Sequence, residues 1–167
     1  DLALRQAMRM YYYQRCGTAV SATYGGNWNH PICHTGSGQD LAALQWLNGA
    51  PTGSARNVSG GWHDAGDMNK YVPFTGSVLW NLMMAYEWNS AAFPDNWGIP
   101  ESGNGVPDIL DEVKYELDWL LRMQMANGSV CNRVGVTQYV SSSPPNTETI
   151  ARYYTQPTSW ATSTAAA

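Results

Sequence analysis

Gly60-Gly61-Trp62-His63-Asp64-Ala65-Gly66-Asp67 sets two carboxylates three residues apart, behind a tryptophan and between glycines. Glycine has no Cβ, so the backbone can turn sharply there and hold both side chains at a cleft. The Trp62 ring is an apolar face of the kind on which a sugar lies, and Tyr71 stands a few residues on as a second aromatic that could stack on or bond to it. Carboxylates beside such a surface are what glycosidic-bond cleavage requires on at least one side of the bond. The competing reading is an Asp-rich surface turn, with Trp62 and Tyr71 as ordinary core, since Asp and Gly are common turn residues.

A second constellation overlaps the first. Cys16, Cys33, His34 and His63 together offer two thiolates and two imidazoles, a complete tetrahedral shell for a structural zinc. The adjacent Cys33-His34 pair can serve one ion if the chain turns there. A Cys16–Cys33 disulfide is the alternative, and secretion would favour it. The chain has 3 Cys, an odd number, which rules out a fully paired disulfide framework and leaves Cys131 as a buried or partly buried free thiol. Because His63 precedes Asp64, a metal there would tie the carboxylate loop to the first helix and to the Cys33-His34 turn.

The elements that must position these residues are mainly helical. Apolar residues at helical spacing predict helices over residues 1–15, 75–88 and 107–126, and another from about Thr158 to the last residue, Ala167. Pro107 suits a first turn, Asp108, Asp111 and Glu112 suit the positive end of a helix dipole, and Asn127-Gly128 supplies a stop. Residues 16–73 carry little periodicity beyond Leu41, Leu44 and Leu47, and read as a long functional connection. A short strand pair is expected within Ser129–Val140 and a Pro/Ser loop over Ser141–Asn146. Trp88, Trp97 and Trp119 fall on or beside helical stripes and read as packing. The Glu101–Asp108 loop reads as a turn capping the next helix, and its oxygens also suit calcium.

Composition narrows the partners. With 9 Lys+Arg against 13 Asp+Glu and no run of like charges, the chain lacks the clustered cations that phosphate binding needs, so no nucleic acid is expected. No stretch approaches the length of a membrane span. Aromatics are weighted toward rings with a polar handle, 8 Trp and 10 Tyr against 2 Phe, a bias that suits wet, sugar-binding surfaces and also an ordinary core.

These residues resemble family 9 of the glycoside hydrolases. The resemblance runs through Tyr12–Gly17, Cys33-His34-Thr35, Gly60–Asp67 with Lys70-Tyr71, Ile99–Asp108, Leu110-Asp111-Glu112, Glu116–Leu121 and Met123-Gln124. Within the family the chain is most similar to the bacterial branch with a zinc site and often a preceding immunoglobulin-like module. The resemblance implies an all-α fold, part of an (α/α)6 barrel with long irregular loops, of which residues 1–167 are the N-terminal portion. It implies a secreted endo-β-1,4-glucanase, or cellulase, that inverts anomeric configuration. Asp67 would be the general base, Asp64 would help hold the attacking water, and Cys16, Cys33, His34 and His63 would be the zinc ligands. Base and acid in an inverting enzyme stand roughly 6.5–9.5 Å apart, so Asp64 and Asp67 are not an acid/base couple. The family's acid is a late glutamate that nothing here matches; Glu148 lacks its motif and is not assigned, and the chain alone is expected to be inactive.

Three features depart from the family pattern: the length, Met68-Asn69 after the second aspartate, and the segment Ser37–Ser59 with Trp46. Two other functions stay open: a non-catalytic carbohydrate-binding fragment, and a relative acting on glucosamine- or xylose-containing glycans.

Overall fold

The computed structural model describes residues 2–167. In chain order its elements are helices α1 (Leu2–Tyr13) and α2 (Ala22–Gly25), strands β1 (Ala43–Leu47), β2 (Ala50–Arg56) and β3 (Lys70–Tyr71), helices α3 (Val72–Trp88) and α4 (Asp108–Met123), strands β4 (Arg133–Gly135) and β5 (Tyr153–Thr155), and helix α5 (Ser159–Ala166). The strands form one sheet in the order β2-β1-β5-β4-β3, parallel between β1 and β5 and antiparallel elsewhere. The all-α expectation is therefore corrected: helices dominate, but a five-stranded mixed sheet is built largely from segments read as irregular.

The main helices follow their apolar stripes. On α4, Ile109, Val113, Leu120 and Met123 face inward and pack with Leu79 and Leu82 of α3 and with Ala161 of α5. Helix α3 begins three residues earlier than its stripe suggests, because Pro73 sits in its first turn, where its missing N–H has no partner to lose. Helix α4 ends at Met123, before the Asn127-Gly128 stop, because Gln124 bridges to Val130 and the Asn-Gly pair instead makes the tight turn between them. Thr158 caps α5 by accepting a hydrogen bond from the Ala161 N–H at 3.1 Å.

The β1–β2 hairpin turns at Asn48-Gly49, both with positive φ (52° and 82°), the conformation a two-residue hairpin turn demands. Within Ser129–Val140, only Arg133–Gly135 is a strand, and it pairs outward with β3 and β5 rather than within the segment. Trp97 and Trp119 are buried as expected, but Trp88 is 79% exposed. No helix among the described residues is long and apolar enough to cross a membrane.

Candidate active site and metal centre

The carboxylate loop leaves α1 sideways. Arg15 and Trp62 form an isolated antiparallel bridge, with the Cys16 N–H donating to Gly61 O at 2.8 Å and the His63 N–H to Gln14 O at 2.8 Å. Gly60 and Gly61 have φ of 93° and 73°, and a Cβ on Gly61 would lie 2.7 Å from the Trp119 ring. Both the left-handed backbone and the close approach to Trp119 therefore require glycine at 61. The Asp64 N–H closes the loop on Asn69 O at 2.9 Å, and Met68 takes a left-handed φ of 57°, strained for a residue with a side chain.

Asp64 is exposed and its pKa is raised, first by partial desolvation and then by the negative charge of Asp67. Asp67 is half-buried. Its carboxylate accepts from the Asn69 side-chain amide at 2.8 Å and from the Asn69 N–H at 3.3 Å. Asn69 is fully buried and its Oδ1 accepts from the Val136 N–H at 3.0 Å, so one amide joins Asp67 to the chain just after β4. Beside this loop a cavity of about 240 Å³ is lined by Trp62, His63, Asp64, Tyr71, Gln14 and Glu116, among others. Asp67 is not among its lining residues.

Trp62 is only 8% exposed; it packs against Tyr11, ring centres 4.8 Å apart, and its Nε1 donates to Glu112 at 3.3 Å. The tyrosine hydroxyl of Tyr71 meets Asn69 Nδ2 at 3.4 Å and Arg133 at 3.3 Å, so it is tied to the same amide that holds Asp67.

Beneath the loop lie two acids that the sequence did not single out as site residues. Glu116 is fully buried, accepts from the Trp62 N–H at 2.7 Å, and leaves Oε1 without a partner. Burial pushes its pKa up to about 8. Glu112 is pushed up to about 7, again by burial, against the pull of Arg15 at 3.0 Å. Their signal was available: carboxylates four residues apart that interrupt the apolar face of α4.

The metal group assembles. Single ligand atoms of Cys16, Cys33, His34 and His63 all lie within 4.8 Å of one another, and all four residues are buried. His34 has a φ of 57°, the sharp turn that lets adjacent Cys33 and His34 face one point. Its Nδ1 lies 3.3 Å from Cys16 Sγ and 3.2 Å from His63 Nε2. All three cysteines are free, so the disulfide alternative is overturned; Cys131 is the buried thiol expected, beside Met125 and Arg56. An S₂N₂ set this compact and this dry fits a closed tetrahedral zinc site.

Around these ligands runs a buried charge network. Asp40 pairs with Lys70 at 2.8 Å and with Arg152 at 2.7 Å, and these cations, set against burial, hold its carboxyl far below the usual carboxylate range. Arg152 also reaches Glu148 at 2.6 Å and donates to Met68 O at 2.8 Å. Lys70 donates to Val58 O at 2.9 Å and Gly60 O at 2.7 Å.

Farther off, carboxylate oxygens of Asp95, Asp108 and Asp111 gather within 4.8 Å, an oxygen set that suits a hard cation such as calcium. Here the expected capping is inverted. Asp108, from the first turn of α4, accepts from Ser102 Oγ at 2.7 Å and Trp97 N–H at 2.5 Å, so the helix fastens the loop.

Comparison with known proteins places the chain. The model of glycosyl hydrolase family 9 matches residues 1–167. Endoglucanase D of Acetivibrio thermocellus is 40% identical over 156 residues, covering 91% of this chain and 24% of the relative. Among solved structures, a metagenome-derived glycoside hydrolase family 9 endoglucanase superposes with a TM-score of 0.84 at 36% identity, over 96% of this chain and 29% of that one. A Zn-binding triple mutant of the family 9 endoglucanase J30 superposes with a TM-score of 0.84 at 35% identity, over 96% and 31%. The chain thus spans about a quarter of the length of the curated relatives it matches.

Proposed function

The chain belongs to glycosyl hydrolase family 9, and on that premise we propose that residues 1–167 are the N-terminal portion of an (α/α)6 catalytic domain that hydrolyses β-1,4-glucosidic bonds in cellulose or a related β-glucan with inversion. Asp67 is the general base that activates water and Asp64 helps hold that water. Trp62 and Tyr71, at the adjacent cavity, contact the sugar. The observation that carries this reading is the loop itself. Two carboxylates stand on a short turn closed at 2.9 Å, with one of them, Asp67, oriented by a buried amide. An inverting reaction needs such a base, held still while water attacks from the face opposite the leaving group.

The general acid is proposed to be a glutamate outside these residues. Glu148 is a poor proton donor, since it is buried and its pKa is lowered, against burial, by His34 and Arg152. Zinc bound by Cys16, Cys33, His34 and His63 would have no open position and would act as a cross-link, fixing His63 next to Asp64. Apolar side chains exposed on the helices, Trp80, Leu121 and Trp160 at 59–70%, support cover by the remainder of the barrel. Secretion, and an immunoglobulin-like module ahead of the domain, rest on the family resemblance.

The test is Asp67→Ala in the complete enzyme. Hydrolysis of β-glucan should be abolished with binding retained, and near-normal turnover would remove Asp67 from the role. Reducing sugar released by this chain alone would refute the placement of the acid elsewhere.

A further inference from the structure

We propose that Glu148 and Arg152 are the outer shell of the metal centre: Glu148 fixes the His34 ring with Nδ1 inward, and Arg152 joins that shell to the Met68 carbonyl beside Asp67. This rests on the zinc reading above. His34 must present one nitrogen to the ion, and Nδ1 is the one that faces Cys16 and His63 at 3.3 and 3.2 Å. Its Nε2 points the other way, to Glu148 Oε1 at 3.3 Å, a contact without the alignment of a full hydrogen bond. A metal-ligating histidine characteristically donates its remote N–H to a carboxylate, which selects the tautomer and raises the ring's donor strength. Among the described residues no other acid is paired with Nε2, and Glu148 is only 3% exposed.

Arg152 completes the arrangement. It is 0% exposed and spends its guanidinium on three groups: Glu148 at 2.6 Å, Asp40 at 2.7 Å and Met68 O at 2.8 Å. Asp40 is shared with Lys70, which it meets at 2.8 Å. One cation therefore orients the carboxylate behind a histidine ligand and the strained residue that follows the base. Arg152 is a positioning residue for both constellations.

The experiment measures zinc itself. The dissociation constant is taken by chelator competition for the wild-type chain, Glu148→Ala and Glu148→Gln, alongside the ¹⁵N chemical shifts of the His34 ring in metal-free protein. Loss of the outer carboxylate should weaken zinc by roughly 10–100-fold. It should also turn a single Nε2–H tautomer into a mixture. Glu148→Gln keeps an accepting oxygen and should show a smaller loss in the same direction, which serves if the alanine variant does not fold. Variants that bind zinc within about twofold of wild type, with the His34 tautomer unchanged, would overturn the assignment. A wild-type chain that binds no zinc would instead overturn the metal reading beneath it.

Discussion

Glu116→Gln should make the protein more stable, and only above about pH 5. Glu116 is buried under the carboxylate loop, with one oxygen on the Trp62 N–H and the other without a partner. Burial raises its pKa from 4.5 to about 8. The folded chain therefore keeps a proton up to about pH 8 that the unfolded chain gives up above 4.5. Unfolding releases that proton throughout the interval, so rising pH favours the unfolded state and stability falls from pH 4.5 to 8, then levels. At about 1.4 kcal/mol for each pH unit, the ceiling is about 5 kcal/mol. Glutamine keeps an oxygen for the Trp62 N–H and carries no charge, so it mimics the protonated acid at every pH. Glu112 has a pKa raised the same way but is present in both proteins, so it largely cancels in the difference. Urea unfolding followed by tryptophan fluorescence, with zinc saturating, should give curves that agree within about 1 kcal/mol at pH 4.5 and separate by a few kcal/mol at pH 8. Stability–pH curves that run parallel, or a glutamine variant weaker than wild type at pH 8, would refute a neutral Glu116.

Two steric predictions test the loop and its support. Gly61→Ala puts a methyl into the Trp119 ring at a φ of 73° and should destabilise by roughly 2–5 kcal/mol in the same assay, with a loss below about 0.5 kcal/mol counting against the close packing. Gly135→Ala would collide with the Asn69 amide, so its effect should shrink by at least about 1 kcal/mol in an Asn69→Ala background; additivity in that double-mutant cycle would mean Asn69 can move aside, and so does not rigidly hold Asp67.

The helices and the metal set could be read from sequence because their signals are local or compositional. Leu79 and Leu82 repeat at helical spacing, and with three cysteines and three histidines in the whole chain, a Cys-Cys-His-His set is conspicuous. The sheet was hidden for a physical reason. Strand β2 reads Ala-Pro-Thr-Gly-Ser-Ala-Arg, poor in the branched and aromatic residues that mark strands, and the Asn48-Gly49 turn signal between the strands went unread. The charge network was illegible because the pairings that join it to the rest of the site are distant in sequence: Arg152 meets Asp40 across 112 positions. No local pattern couples residues so far apart, and Glu148 in its Pro/Ser/Thr surroundings gave no hint of burial.

Why charges should lie beneath the loop at all follows from the loop's own shape. A buried ion pair is seldom better for stability than apolar side chains of the same volume. Apolar residues, however, could not serve the carbonyls that an irregular backbone leaves unpaired. Residues 57–68 are irregular, turning at Gly60 and Gly61, so their carbonyls find few ladder partners. Lys70 takes Val58 O and Gly60 O, Arg122 takes Ser59 O, Arg152 takes Met68 O, and Trp119 Nε1 also reaches Val58 O. Asp40 and Glu148 are then needed to neutralise Lys70 and Arg152 where no water reaches. The ions are the substitute for a hydrogen-bond ladder where the backbone turns too sharply to form one.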